Sequence, residues 1–216
     1  MRRRVVLLVL IALVLVLVLL VGAELLARPV VERAIEDRVA ERLDVQSVDA
    51  RLGGLFVVPT VLATGKVSRL DVELRRLVRP ELTIDSVHMR LSGLELERGA
   101  LFDGEARLER VDRGEVEAEV TEDDLQAAIP GGAADLHLFP GRATVVVGGV
   151  TADVGVSVAD GVLRLTLGAL GELAVTLSTD IFPCPLGGQV LEGRVHLSCT
   201  LDEVPAWIVQ EVNRAG

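Results

Sequence analysis

The stretch Ala143–Leu167, ATVVVGGVTADVGVSVADGVLRLTL, decides the fold class. Val145 and Val147, and after Gly148-Gly149 Val150, Val154, Val156 and Val158, keep a period of two within each run. β-branched residues in that period favour a pleated, half-buried strand. Gly148-Gly149 and Asp160-Gly161 interrupt the runs, and a two-residue Asp-Gly between alternating strands is a hairpin signal. Leu173–Leu177 continues the pattern after Gly168–Gly171. Successive hairpins make an antiparallel meander.

The same alternation extends upstream. Val45, Val48, Leu52 and Leu55 lead through Gly53-Gly54 into Phe56–Pro59 and Thr60–Gly65, which read as further extended chain. Leu70, Val72 and Leu74 alternate with charged residues. Leu82, Ile84, Val87, Met89 and Leu91 form another strand whose phase slips at Asp85-Ser86, predicting a bulge or bend. Leu94, Leu96, Ala106, Leu108, Val116, Ala118 and Val120 carry the theme on. One wet and one apolar face per strand predicts antiparallel sheets.

Three helices bracket and interrupt this β region. Residues 24–43 place Val31, Ile35, Val39 and Leu43 on one stripe, with Val30 and Ala34 beside it. Glu32, Arg33, Glu36, Asp37, Arg38, Glu41 and Arg42 fill the other face, which predicts an amphipathic helix packed on the sheet. Pro29 suits a first turn and would kink a helix that ran straight through it. Thr121 is a candidate N-cap for a short acidic helix beginning Glu122-Asp123-Asp124. Asp202 is a candidate cap for a closing helix over 203–214, with Val204, Trp207, Ile208 and Val212 on one side. Phe182–Gly188 reads as an irregular crossing, and Val190–Leu201 as a final strand or hairpin. The fold class is therefore α+β, rich in β.

The N-terminus has a different character. Val5–Val21 contains only Val, Leu, Ile and Ala, and Gly22-Ala23 extends the uncharged run to 19 residues. As a helix it covers about 28 Å, close to the hydrocarbon thickness of a bilayer. Arg2, Arg3 and Arg4 precede it, which places the N-terminus in the cytoplasm and the rest outside. Residues 1–23 read as a signal anchor. Cleavage after Ala23 as a secretory signal is the alternative, less favoured because the apolar run exceeds the usual core of about 7–15 residues. Residues 24–216 read as a single extracytoplasmic domain.

Charge and composition narrow the function. Beyond Arg2–Arg4, 19 Lys and Arg face 32 Asp and Glu, a net charge of −13. That balance disfavours nucleic acid and broad adhesion to anionic headgroups. Four Phe, one Trp and no Tyr leave almost no stacking platform for bases or sugars. Cys184 and Cys199 are expected to pair in an oxidising compartment, with free thiols or half a metal site as alternatives. No second Cys or His pair stands at ligand spacing. Glu122-Asp123-Asp124 lacks the alternating spacing of a calcium loop.

Catalytic signatures are missing. There is no Gly-x-Ser-x-Gly elbow, no P-loop and no dinucleotide fingerprint. His88, His137 and His196 each lie in strand-like sequence. A carboxylate pair assembled from distant positions is the remaining route to catalysis. The reading is a non-enzyme without cofactor.

The chain resembles the LmeA family of bacterial cell-envelope phospholipid-binding proteins. The resemblance is carried by the N-terminal apolar segment and by Val39-Ala40-Glu41-Arg42-Leu43. It continues through Gly54-Leu55-Phe56, Leu62-Ala63-Thr64-Gly65 and the strand through Val72. The Gly114–Val120 strand entering Thr121–Leu125 follows. Cys184-Pro185 and Leu197–Pro205 complete it. Leu55 stands where the family usually has Pro. The resemblance implies a sheet curled round a long helix, enclosing an elongated apolar groove like that of tubular lipid-binding domains. It implies binding of phospholipid, of phosphatidylinositol type, and a role in maintaining envelope lipids and lipoglycans. A membrane-anchored lipid binder or lipid-transfer module is the leading reading, and an envelope scaffold with a solid core is the alternative. An acyl chain is held by contact area, so the expected wall is aliphatic. The candidate wall residues are Phe56, Leu62, Leu70, Val72, Ile84, Met89 and Phe182, each of which could equally be ordinary core.

Overall fold

The computed structural model describes residues 21–22, 24–54, 56–102, 107–129, 134–159, 161–166, 172–176, 182, 184–206, 209–210 and 213. The apolar run over residues 5–20 lies outside them. Among the described residues, no helix is long and apolar enough to cross a membrane.

Among the described residues, eleven strands build two open antiparallel sheets. The first contains β1 (Ser47–Gly53), β2 (Lys66–Val78), β3 (Thr83–Leu96), β4 (Leu108–Thr121), β10 (Gly187–Leu191) and β11 (Arg194–Leu201), in the order β1-β2-β3-β4-β11-β10. The second is the meander β5 (Ala134–Phe139), β6 (Arg142–Val147), β7 (Val150–Ala159), β8 (Val162–Thr166) and β9 (Glu172–Thr176). Strands β7 and β8 pair as the expected hairpin, with Ala159 opposite Val162 and Gly161 at φ 72°, while Asp160 lies outside the described residues. Neither sheet closes on itself. The architecture is thus two facing open sheets, where the resemblance implied one sheet curled round a helix.

Paired breaks in the alternation of β2 and β3 keep the apolar face of the first sheet on one side. Along β2 the inward residues are Val67, Leu70, Val72, Leu74 and Leu77, with two steps of three. Along β3 they are Ile84, Val87, Met89, Leu91 and Leu94, again with two steps of three. The irregularities face each other: Val67 pairs with Leu94 and Leu77 with Ile84, and the rungs at Ser68/Gly93 and Arg76/Asp85 drop out of the ladder. At these places Gly93 (φ 63°) and Arg76 (φ 52°) are left-handed, and the register on either side is unchanged. The slip read at Asp85-Ser86 is the second of these.

The core is continuous between the two sheets. Leu74, Val87, Ala118 and Leu197 of the first sheet join Leu136, Val145, Leu163 and Leu165 of the second in one buried cluster. A smaller cluster of Leu52, Val57, Val67, Leu94 and Val111 closes the end of the first sheet. The disulfide between Cys184 and Cys199 ties the segment before β10 to β11. The helix α4 (Glu122–Ala128) bridges the sheets. Thr121 Oγ1 accepts from Asp124 N at 3.2 Å, Glu122 N donates to Gly193 O at 2.9 Å, and Glu122 Oε2 accepts from Leu138 N at 2.6 Å.

Three expectations are corrected. Residues 57–64, read as extended, form the helix α2 (Val57–Thr64). The left-handed Gly54 (φ 128°) and Phe56 (φ 55°) end β1, and the left-handed Gly65 (φ 72°) ends the helix. Val57 seals the smaller cluster, so tertiary contact overrides the β-branched sequence. The first helix, α1 (residues 24–40), passes through Pro29 and stops three residues before Leu43. The closing helix shows helical residues at 206, 209, 210 and 213, so it begins after the expected position 203. Trp207, Ile208 and Val212 lie outside the described residues. Asp202 pairs with Arg113 Nη2 at 3.3 Å. A short α3 (Arg98–Phe102) completes the elements.

A half-open apolar band on the inner sheet face

Strand register places Leu52, Leu70, Leu91, Gly114 and Leu201 in one row across β1, β2, β3, β4 and β11. Directly opposed residues of neighbouring strands share a sheet face. The next row is Ala50, Val72, Met89, Val116 and Cys199. Rows on both sides are sealed: Val67, Leu94 and Val111 on one, Leu74, Val87, Ala118 and Leu197 on the other. Between them Leu70, Leu91, Leu201 and Met89 stay half-buried. Gly114 interrupts the row without a side chain. A Cβ there would sit 3.4 Å from Val204 Cγ2 and 3.5 Å from Leu91 Cδ2. Val204 fills the place of the missing side chain, so the chain after β11 packs onto the row at Gly114.

The opposite face of the same strands is ionic. Asp71, Arg90 and Glu115 stand side by side across β2, β3 and β4. Arg90 donates to Asp71 Oδ1 at 3.0 Å and to Glu115 Oε2 at 3.2 Å. The two carboxylates hold its guanidinium pKa above the ordinary arginine value, the hydrogen bond to Asp71 contributing most. His88 Nε2 lies 3.9 Å from Asp71 Oδ1. Each carboxylate of this ladder faces a cation, the opposite of the like-charged pair that acid–base catalysis at a dyad uses.

Helix α1 lies along the free edge of β1. Glu36 Oε1 accepts from Ala50 N at 3.0 Å, and Glu32 Oε1 accepts from Leu52 N at 2.9 Å. Arg28 donates to Leu52 O and, at 3.0 Å, to Glu32 Oε1. Four residues of helix rise about 6 Å, and two residues of strand about 6.8 Å, so carboxylates at i and i+4 meet alternate strand N–H groups. Glu32 and Glu36, read as a solvent face, therefore shield a strand edge. Ile35, Val39 and Leu43 pack on the main core, as their stripe predicts. Val31 stays exposed.

The seven candidate wall residues do not form one wall. Val72, Ile84 and Phe182 lie in the sealed main core. Leu70 and Met89 lie on the band. Phe56 and Leu62 point outward from α2, 39% and 55% exposed. Leu91, Gly114 and Leu201 complete the band and were not singled out from sequence. The three-residue steps along β2 and β3 are the signal that would have found Leu91. A separate depression of about 330 Å³ is lined by Thr64, Lys66, Glu95, Leu96, Arg98 and Glu109, and the Lys66 Nζ–Glu95 Oε1 pair crosses it at 2.7 Å. Its walls are polar and suit no hydrocarbon. Among the described residues, no group of three or more His, Cys, Asp or Glu is placed to hold a metal.

Residues 21–204 match the family model described as LmeA-like phospholipid-binding. The chain belongs to the LmeA-like phospholipid-binding family. No curated protein and no solved structure matches it. The family match spans α1, the whole six-stranded sheet and the meander, so the band lies within the part of the LmeA-like chain that defines membership.

Proposed function

We propose that this LmeA-like protein binds a phospholipid with an acyl chain along the band formed by Leu70, Met89, Leu91 and Leu201. The observation that carries the reading is the half-buried state of these four side chains between rows that are sealed. Apolar surface left open inside a sheet is stabilised when hydrocarbon covers it, by about 0.8 kcal/mol per buried CH₂.

The apolar run over residues 5–21 supports anchoring in the plasma membrane, with the folded part on the extracytoplasmic side. Cleavage before Glu24 would release the same domain. The disulfide suits that oxidising side. Lipid transfer between envelope sites, and a part in maintaining envelope lipids or lipoglycans, are extensions of the same binding step. The reading is of a binder, since an acyl chain held by contact area needs no reacting group.

Native mass spectrometry of the full chain, purified in mild detergent, tests the reading. Phospholipid should co-purify in a defined stoichiometry, and Leu91→Trp should expel it while Leu91→Ile retains it. A folded chain that carries no phospholipid in either form overturns the proposal and favours an envelope scaffold.

A further inference from the structure

The large apolar side chains that remain exposed are not scattered. Val21, Leu25, Leu26, Val30 and Val31 lie in residues 21–31, and Phe56 and Leu62 frame α2. Only Val78 and Val150 lie elsewhere among the exposed large hydrophobic residues described. Scattered single apolar residues are ordinary on a surface, whereas a concentrated set marks a partner.

These two segments are joined. Glu24 Oε2 accepts from Val58 N at 2.9 Å. Phe56 occupies the N-cap position of α2 and makes no side-chain cap, so Glu24, 34 residues before Val58, supplies the acceptor. A carboxylate there also suits the positive end of the helix dipole. Glu24 is the first charged residue after the apolar run. The start of α2 is therefore held within hydrogen-bond reach of the point where the chain turns polar.

Phe56 adds an independent mark. It sits in the left-handed region at φ 55°, where Gly or Asn is the cheaper choice, and its ring is exposed. An aromatic side chain held outward at a strained position is better explained by what covers it than by packing within the chain.

We propose that α2, through Phe56 and Leu62, together with the first turns of α1 around Leu25 and Leu26, rests in the headgroup layer of a phospholipid bilayer. The proposal rests on the anchoring reading for its distance: if the apolar run ends at the hydrocarbon boundary, Glu24 enters a headgroup layer of roughly 5–8 Å. Helix α2 is about 12 Å long and lies beside it. Contact is apolar, as expected for a chain whose net charge repels anionic lipid. The smaller cluster under α2 adjoins the band through Leu70 and Leu91, so the docked helix lies over the end from which an acyl chain would enter.

The test uses the full oxidised chain in vesicles of phosphatidylcholine and phosphatidylglycerol. A single added thiol, Leu62→Cys or Val150→Cys, carries an environment-sensitive fluorophore; Val150 lies 69% exposed at the β6–β7 turn. At position 62 the emission should shift to the blue and lose most of its intensity when the lipid is brominated, while aqueous iodide has little effect. At position 150 iodide should quench and bromine should not. A chain that floats with vesicles but shows iodide quenching at 62 overturns the docking and leaves the anchor standing. A chain that does not float overturns both. Shielding at 62 from iodide without quenching by brominated lipid points to a second protein surface and also overturns the docking.

Discussion

Glu36 Oε1 lies 3.0 Å from the backbone nitrogen of Ala50, and this contact shows how α1 is used. The helix does not simply lie on the sheet with its apolar stripe. It also presents Glu32 and Glu36 to the strand edge, satisfying N–H groups that a neighbouring strand would otherwise take.

Removing these acceptors should be costly. Ala50 and Leu52 are both buried, so Glu32→Ala and Glu36→Ala each leave a donor that water reaches poorly. A loss of about 1–3 kcal/mol is expected for each, with Gln at either position retaining most of it. Urea unfolding measures this. A cost below a few tenths would mean that the edge needs no cover.

Phe56→Gly should leave stability unchanged or raise it by up to about 1 kcal/mol, because the left-handed backbone ceases to be strained. Thermal unfolding in detergent checks the sign. A clear loss would show that the ring is structural, contrary to its exposure.

The two sheets approach closely where β10 crosses β7. A Cβ on Gly188 would lie 2.4 Å from Val158 Cγ2 and 2.9 Å from its Cβ. Gly188→Ala should therefore destabilise by about 1–3 kcal/mol. Gly155 is the control, since its added Cβ would come no closer than 3.6 Å to Thr166 Cβ. Gly155→Ala should be close to neutral by the same denaturation assay.

The disulfide joins positions 15 residues apart. In the chain-entropy model its loss costs about 3 kcal/mol. The Cys184→Ala, Cys199→Ala double variant should show this loss, and wild type in reductant should match it. Equal midpoints for oxidised and reduced chain would contradict the account.

Lys66 holds the Glu95 carboxyl below the ordinary carboxylate range, first through their hydrogen bond and then through its charge. A carboxyl depressed in the folded state contributes stability above its unfolded pKa and loses it as pH falls through the folded one. The difference between wild type and Lys66→Met should thus be present at neutral pH and vanish in acid. A carboxyl ¹³C titration of Glu95 should show its midpoint move up in the variant.

Much of the β architecture is legible along the chain. Valines in phase within 145–147 and within 150–158, with Gly148-Gly149 between the runs and Asp160-Gly161 after them, point to a meander. The three-residue step from Ile84 to Val87 announces the break in alternation at Asp85 before any coordinate is known. Thr121 with Asp124 three residues on marks α4. The cystine follows from two cysteines in a chain with an apolar leader-like run. By contrast, residues 57–64 read as strand because Val57, Val58 and Val61 are β-branched. What makes them helical is a carboxylate 34 residues away and a cluster under Val57, neither of which is local.

The sequence by itself determined the secondary-structure periods, the paired cysteines, the scarcity of reactive groups and membership of the LmeA-like phospholipid-binding family, because each depends on residue types at short spacing. Only the tertiary structure decided which aliphatic residues stay open. Leu70, Val72 and Leu74 have the same type and period along β2, yet Leu70 is half-buried and the other two are sealed. The difference comes from what lies across neighbouring strands and over the face, and burial is a property of that assembly and not of the strand alone.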